Sequence, residues 1–383
     1  MIPIKVALDV RGVGTPEPRG VIVHMRQNAR AARILVERGQ IELTFFGSHV
    51  DKIWLSQNGF LEGAGFRQYS IPRRITETAL KFGFSVFPQV IGNHQLFHTL
   101  EAYPLTKSNY AVIGSLLDFV PVRVPEYTAP YLTLKQFRWI EWARTHRGVY
   151  WITISNHTKQ DALALSKLDD SQVLVTNLFA NEDMFDEPNP SRIKSAQEAH
   201  GVHPPYLLSV ATLNPRKNHR RLVEAWERGE FHKDGWQLVL VGHAAGGTLH
   251  EDLALDQVPG VRWIGYVSRE ELVDLYHGCA VVVYPSLYEG FGIPVVEGAV
   301  SGKPILTSKR SPMAESIGDG AVLIDPYDVE EMSSAIGKLI LDESLRQKLG
   351  ALNYANRRRH SLSRFAEDLW NAYSTIVHDA GLK

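Results

Sequence analysis

Short apolar runs alternate with helical patterns along most of this chain, and that alternation constrains the fold more than anything else in it. After residue 205 the order is clear. "YLLSVAT" reads as a strand, "NHRRLVEAWERG" as a helix, and "WQLVLVGH" and "VRWIGYV" as strands; then comes the helix "SREELVDLYHG", followed by the strands "AVVVYPS", "PILTS" and "AVLID". The first half repeats the theme with "KVALDV", the helix "VIVHMRQNARAARILVERG" closed by Gly39, "IELTFFGS", "YAVIGSLLDF" and "VYWITIS". Runs of this kind, buried on both faces, belong to parallel sheets covered by helices. At 383 residues the chain exceeds what one core usually organises. The expected fold is therefore α/β, with two doubly wound domains. The Pro- and charge-rich segment 181–206 reads as the hinge region between them.

Local signals sharpen several ends. Ser268 and Glu271 form a capping box, and Asp328 and Glu331 a second capping pair at the head of one long helix spanning 328–350. Asn156 or Thr158 opens the helix after "VYWITIS", and a last amphipathic helix fills "SRFAEDLWNAYSTIVHDAG". Composition then removes whole classes of function. A formal net charge of −1 offers no basic field for duplex nucleic acid. One cysteine, Cys279, excludes an intrachain disulfide framework and a cysteine-based zinc cluster. The start lacks the pattern of a signal peptide, and no apolar run reaches the ~20 residues of a membrane helix.

The chemistry concentrates in "YPSLYEGFGIPVVEGAVSGKPILTS", residues 284–308. Glu289 and Glu297 flank a Gly-Phe-Gly-Ile-Pro turn that joins a buried strand to a helix with Pro294 in its first turn. Such a turn lies at the carboxyl end of a sheet, where ligands of α/β proteins bind and free amides favour anions. Glu297, one turn into the helix, can accept from the two hydroxyls of a ribose, and Glu289 from a second polyol. An anion with polyols on both sides describes a nucleotide-sugar. The plainer alternative is a helix-dipole partner and a solvated loop residue. Arg216 and Lys217 weigh against it, because cations at a strand-to-helix turn oppose the macrodipole unless an anion binds between them. Arg220 and Arg221, a little further on, read as a basic solvated face. No P-loop, G-x-G-x-x-G, H-E-x-x-H, G-x-S-x-G or D-x-D pattern occurs in a fitting context. His94 and His98 would share a face only if their segment were helical, and a structural role is the expectation for them.

These residues resemble family 4 of the glycosyltransferases, retaining enzymes of the GT-B architecture. The resemblance runs through most of the chain, is densest in "SVATLNPRKNHRRLVEAW" and in "WIGYVSREELVDLYHGCAVVVYPSLYEGFGIPVVEGAVSGKPILTS", and is looser in the first half. It implies two Rossmann-like domains facing each other across a cleft: 1–188, completed by a crossing helix at 362–383, and 189–361. It further implies that Arg216 and Lys217 grip the donor diphosphate and that Glu297 binds its ribose. By the same match Glu289 lies near the donor sugar, while Phe291, Gly292 and Ile293 give backbone contacts to sugar and phosphate. Tyr266 lines the base and Gly20 belongs to an N-terminal loop closing on the phosphates. Asp118 is the second member of a pair that is His-Asp in many relatives and Leu117-Asp118 here.

The expectation that follows is retaining transfer of a sugar from a nucleoside-diphosphate donor to a glycan or lipid-linked glycan acceptor, with no metal, no cofactor and no nucleic-acid partner. The alternatives are a catalytically inactive nucleotide-sugar-binding subunit and a GT-B epimerase. Leucine at 117 can pack on a methyl but cannot bond a 6-hydroxyl, so the donor is either a 6-deoxyhexose or pentose, or an ordinary hexose whose hydroxyl is held otherwise. The expected location is the cytoplasm, with peripheral contact at the inner membrane face left open; "IPRRITETALKFG" (71–83) reads as a solvated face rather than a lipid-binding helix. The acceptor-reading loops are expected around 45–75 and 95–135.

Overall fold

The computed structural model describes residues 2–15, 20–68, 93–99, 110–145, 149–244, 253–310 and 312–382. The chain divides into two compact units, Met1–Leu178 together with Leu362–Lys383, and Phe179–Ser361.

In the first unit the elements run β1 (Ile4–Asp9), α1 (Gly20–Glu37), β2 (Ile41–Gly47), α2 (His49–Gln57), β3 (Gly65–Gln68), β4 (Leu96–Thr99) and β5 (Ala111–Leu116), then α3 (Pro130–Thr145), β6 (Tyr150–Thr153), α4 (Asn156–Ser166) and β7 (Val173–Val175). Its sheet is parallel with order β3-β2-β1-β4-β5-β6-β7. Val6 is paired with Leu43 on one side and Leu96 on the other, all buried as the apolar runs require. Gly114 in β5 is a packing glycine: a Cβ there would overlap the ring of Trp151, which meets Trp139 of α3 edge-on at 4.8 Å. The reversal of strand order, where crossovers leave in opposite directions, lies between β1 and β4.

The second unit holds α5 (Pro190–His200), β8 (Tyr206–Val210), α6 (His219–Gly229), β9 (Gln237–Val241), β10 (Val261–Trp263), α7 (Arg269–Gly278), β11 (Val281–Tyr284), α8 (Ile293–Val300), β12 (Ile305–Ser308), α9 (Pro312–Ile317), β13 (Ala321–Ile324), α10 (Val329–Leu341) and α11 (Glu343–Asn356). Its sheet, also parallel, has order β10-β9-β8-β11-β12-β13, with Leu208 between Val239 and Val282. The switch point here lies between β8 and β11. Each unit is thus a doubly wound, Rossmann-like α/β domain.

The last helix, α12 (Leu362–Asp379), returns to the first unit. It buries Phe365, Ala366, Leu369, Ala372, Tyr373 and Ile376, a stripe at helical spacing, against α1 and the sheet. Each of the large apolar side chains contributes about 1.5–3 kcal/mol by burial. The Tyr373 hydroxyl lies 2.8 Å from His98 Nδ1, and Arg38 Nη2 donates to Ser363 Oγ at 3.0 Å.

Several sequence expectations change. The stretch 328–350 is two helices, because Asp342 stops α10 and accepts from the Leu345 amide at 2.8 Å to cap α11. Segment 181–206 is not an open hinge: Asn189 caps α5, whose first residue is Pro190, and Gly201 ends it. The boundary between units falls earlier, at 178/179, since the Ala180 amide donates to His360 O at 3.1 Å and Met184 is buried within the second unit. Ser155, not Asn156 or Thr158, caps α4 and accepts from the Thr158 amide. The ranges 45–75 and 95–135 contain α2, β3, β4, β5 and the start of α3 rather than loops alone. Segment 71–83 lies outside the described residues. Among the described residues no helix is long and apolar enough to cross a membrane.

Candidate functional site

The switch point of the second unit is stitched together from the two loops that leave β8 and β11. Asn214 accepts from the Arg216 amide at 2.9 Å, opening a single turn over Pro215–Lys217. Asn218 ends that turn in the left-handed region, φ 66, and its buried amide donates to Pro285 O at 3.1 Å and Pro326 O at 2.6 Å. The Leu287 amide donates to Arg216 O at 2.9 Å. Arg216 and Lys217 are thereby held over the 285–289 loop.

Both converge on Glu289. Its Oε1 lies 2.5 Å from Lys217 Nζ and 2.8 Å from Arg216 Nη1, and accepts from Ser286 Oγ at 2.6 Å and Tyr284 OH at 3.0 Å. Lys217 Nζ also meets Tyr284 OH at 2.6 Å, and Arg216 Nη1 reaches Tyr288 O at 2.5 Å. Burial opposes ionisation of Glu289, but Lys217 and Arg216 overcome it and hold the carboxyl down at about 2. The three charges sum to one net positive at the carboxyl end of the sheet. Arg221, read from the sequence as part of a solvated basic face, is instead half-buried, donating to Asn218 Oδ1 at 3.1 Å and lying over the Tyr327 ring.

The loop then enters α8. Gly292 is its N-cap at φ 98, with Phe291 buried before it and Ile293 as the first helical residue; no side chain caps this start. Uncapped amides at such a position are satisfied by water or by an anion. Glu297 is buried on α8 and accepts from Arg269 Nη1 at 2.8 Å. Arg269 also grips Asp183 in two-pronged fashion, Nε and Nη2 each at 2.7 Å. The Tyr276 hydroxyl donates to Pro294 O at 3.2 Å and lies beside the same glutamate. Burial pushes the Glu297 carboxyl above the ordinary range, with Arg269 and Tyr276 opposing it.

Tyr266, 70% exposed, stacks on His243 with ring centres 4.7 Å apart and planes 9° from parallel. His243 follows β9 and Tyr266 follows β10, so this aromatic pair, the Arg216–Lys217 turn and the Glu289 loop succeed one another along one sheet edge. Asp118 and Gly20 belong to the first unit. Asp118 Oδ1 accepts from the Val120 amide at 3.1 Å, capping a short turn after β5; Gly20 is the exposed first residue of α1, with open space where a Cβ would sit.

Sequence reasoning missed Arg269, Asp183 and His243, as well as the hydroxyls of Tyr284 and Ser286. Arg269 had the same signal that singled out Arg216, a cation in the first turn of a helix. His94 and His98 lie at a strand rather than on a helix face: His98, in β4, is buried between Ser115 Oγ (3.0 Å) and Tyr373 OH, and His94 Nε2 meets Thr44 Oγ1 at 2.9 Å. Among the described residues no group of three or more His, Cys, Asp or Glu side chains could hold a metal ion.

Comparison with known proteins adds to this geometry. Residues 191–356 match the family described as Glycosyl transferases group 1. Solved structures match over nearly the whole chain, among them the Anabaena protein HepE in complex with UDP (TM-score 0.72, 17% identity, 97% of this chain and 100% of that one). Residues 191–356 are thus similar to the group 1 glycosyltransferases, and the chain has the GT-B fold. Among curated relatives of this GT-B chain, the O-antigen chain mannosyltransferase B of Escherichia coli is 28% identical over 233 residues, 59% of this chain and 60% of that protein. The MMP alpha-(1->4)-mannosyltransferase of Mycolicibacterium hassiacum is 28% identical over 238 residues, 60% of this chain and 54% of that protein. The GT-B chain thus spans less than two thirds of the length of these relatives.

Proposed function

We propose that this protein is a retaining glycosyltransferase of family 4 that moves a hexosyl group from a nucleoside diphosphate to a glycan or lipid-linked glycan. The observation that carries this reading is the meeting of Arg216 and Lys217 with Glu289 at the switch point, beside the uncapped start of α8. As the bond from the sugar's anomeric carbon to the phosphate oxygen breaks, its electron pair leaves with the diphosphate. Arg216, Lys217 and the amides around Gly292 and Ile293 stabilise that charge, and preorganised donors of this kind supply the largest share of catalysis in such steps. Phe291 shapes the turn that presents those amides. Glu297 reads the ribose, Tyr266 and His243 flank the base, and Glu289 orients the sugar. Gly20 and Asp118 of the first unit keep the donor-binding roles that the resemblance implies. The acceptor hydroxyl oxygen attacks the face the diphosphate has left and gives its proton to a departing phosphate oxygen, which retains configuration. A lipid-linked acceptor would be met from the membrane surface.

The mannosyltransferases among the curated relatives favour a mannose-type donor. Leu117, which follows β5 where many relatives carry histidine, favours the 6-deoxy sugar of the same series. Turnover of a nucleoside-diphosphate mannose beside its 6-deoxy counterpart separates the two.

The first test is a thermal-shift panel with UDP, GDP, dTDP and ADP on wild type and on a Lys217→Ala, Glu297→Ala double variant. Stabilisation by one nucleotide, lost in the variant, is expected; at a hundred times Kd it amounts to about 2.7 kcal/mol. No shift with any of the four overturns the reading. Stabilisation without turnover of any sugar donor would leave a nucleotide-sugar-binding subunit.

A further inference from the structure

Arg269 occupies the first residue of α7, where the helix dipole disfavours a cation. What holds it there is visible. Ser268 and Glu271 cap the helix reciprocally, so Glu271 is engaged at the N-cap. The guanidinium turns instead to carboxylates from two other elements. Nε and Nη2 donate to Asp183, and Nη1 donates to Glu297 Oε1. Asp183 lies in the short turn Glu182–Phe185, anchored by fully buried Met184. A two-pronged pair with Asp183 fixes the guanidinium plane, and that plane fixes where the third nitrogen points.

We propose that Arg269, clamped by Asp183, is a positioning residue that sets the carboxylate of Glu297 for reading a ribose, and so gives the site its preference for ribonucleotide over 2′-deoxyribonucleotide donors. This rests on Glu297 being the ribose contact. Each carboxylate oxygen can accept two hydrogen bonds, so Glu297 retains capacity for a ligand hydroxyl while Arg269 and Tyr276 hold it. Arg269 also opposes the effect of burial, which by itself favours a neutral carboxyl and would turn an acceptor of two hydroxyls into a group that donates one proton. Lysine could supply the charge but not the fork. A point charge cannot pair with Asp183 through two nitrogens and still aim a third at Glu297.

The test is calorimetric titration of UDP and GDP, each beside its 2′-deoxy counterpart, into wild type, Glu297→Gln, Arg269→Gln, Arg269→Lys and Asp183→Asn. Wild type is expected to favour the ribonucleotide by roughly tenfold to a hundredfold, the worth of a hydrogen bond to a charged group. Glu297→Gln abolishes the preference. Both Arg269 variants reduce it at least fivefold while affinity for the 2′-deoxy nucleotide holds, and Asp183→Asn falls between. A merely structural arginine would weaken both nucleotides alike and leave their ratio untouched. A wild-type ratio in folded Arg269→Gln or Arg269→Lys overturns the proposal. Should neither Arg269 variant fold, Asp183→Asn decides by the same ratio. No preference in wild type, an unchanged ratio in Glu297→Gln, or no binding of either nucleotide overturns the reading of Glu297 itself, and the proposal with it.

Discussion

Replacing Glu289 by Gln should make the protein less stable and its diphosphate binding tighter. The substitution keeps the side chain's length and removes the charge beneath Arg216 and Lys217, whose side chains are only 17% and 15% exposed. The two cations and two hydroxyls all meet one oxygen, Oε1, so the amide oxygen of glutamine can still accept from them but carries no charge to balance Arg216 and Lys217. Lowering a carboxyl from its ordinary 4.5 to about 2 corresponds to about 3 kcal/mol in favour of the charged form. Breaking a buried pair by removing one partner typically costs about 3–5 kcal/mol. For a domain of this size that amounts to a melting point roughly 6–20 °C lower at pH 7. The folded-state pKa is depressed, so Glu289 contributes fully above about 4.5 and loses its contribution as pH falls through about 2. Wild type and variant should therefore converge only towards that acid limit. Calorimetric titration supplies the second arm. With the internal anion gone, two cations rather than one net charge face an incoming diphosphate, so a nucleoside diphosphate should bind several-fold more tightly even as sugar transfer falls. A variant as stable as wild type at pH 7, or one that loses diphosphate affinity together with stability, would refute the idea that Glu289 offsets the charge that Arg216 and Lys217 present to a diphosphate.

Two further substitutions probe the scaffold. His24 and His98 are buried and neutral, their pKa values pushed down by burial to about 4 and about 3. The unfolded chain takes up protons first, so stability should hold above pH 6.5 and fall below it by roughly 1.4 kcal/mol per histidine per pH unit. Thermal melts between pH 7 and 5 check this: His98→Gln should remove one histidine's share of the slope, to which buried His219 and His360, also held down to about 4, contribute alongside His24, and an unchanged slope would sink the assignment. Gly292→Ala puts a Cβ at φ 98 and into buried Met313, so chemical denaturation should show a loss of about 1–3 kcal/mol together with weaker donor binding. Wild-type stability there would mean the turn relaxes freely.

Much of this was legible because the apolar runs of a parallel sheet leave little choice of partner. "AVVVYPS" could only be an inner strand, and the Ser268–Glu271 box marked the start of α7 to the residue. Arg216 and Lys217 stood out in advance because like charges at a helix start demand a counter-ion, but the anion expected was a bound diphosphate, and Glu289, read as a polyol contact, was not foreseen as their partner. Less was legible where one side chain decides between two local outcomes. Asp342 reads equally as a polar residue within a helix or as a cap between two, and only the packing of α10 and α11 selects the cap. Arg269 lay outside the site on paper because its partners, Asp183 and Glu297, come from 86 residues earlier and 28 later. The cation in the first turn of α7 is a local signal that a counter-ion is needed, but it does not say which distant carboxylates supply it.

The return of α12 to the first unit has a consequence for how the molecule is made. Residues 179–361 form a contiguous stretch that contains its whole sheet, whereas the first unit is split around it. Domains usually close in order of synthesis. Here the unit begun first lacks the helix that covers it until residues 362–379 have emerged, by which time the second unit is complete. Nascent chains arrested before residue 362 should therefore expose the apolar surface that Phe365, Leu369 and Ile376 later cover. It is in that interval, and not after release, that this protein most needs a chaperone.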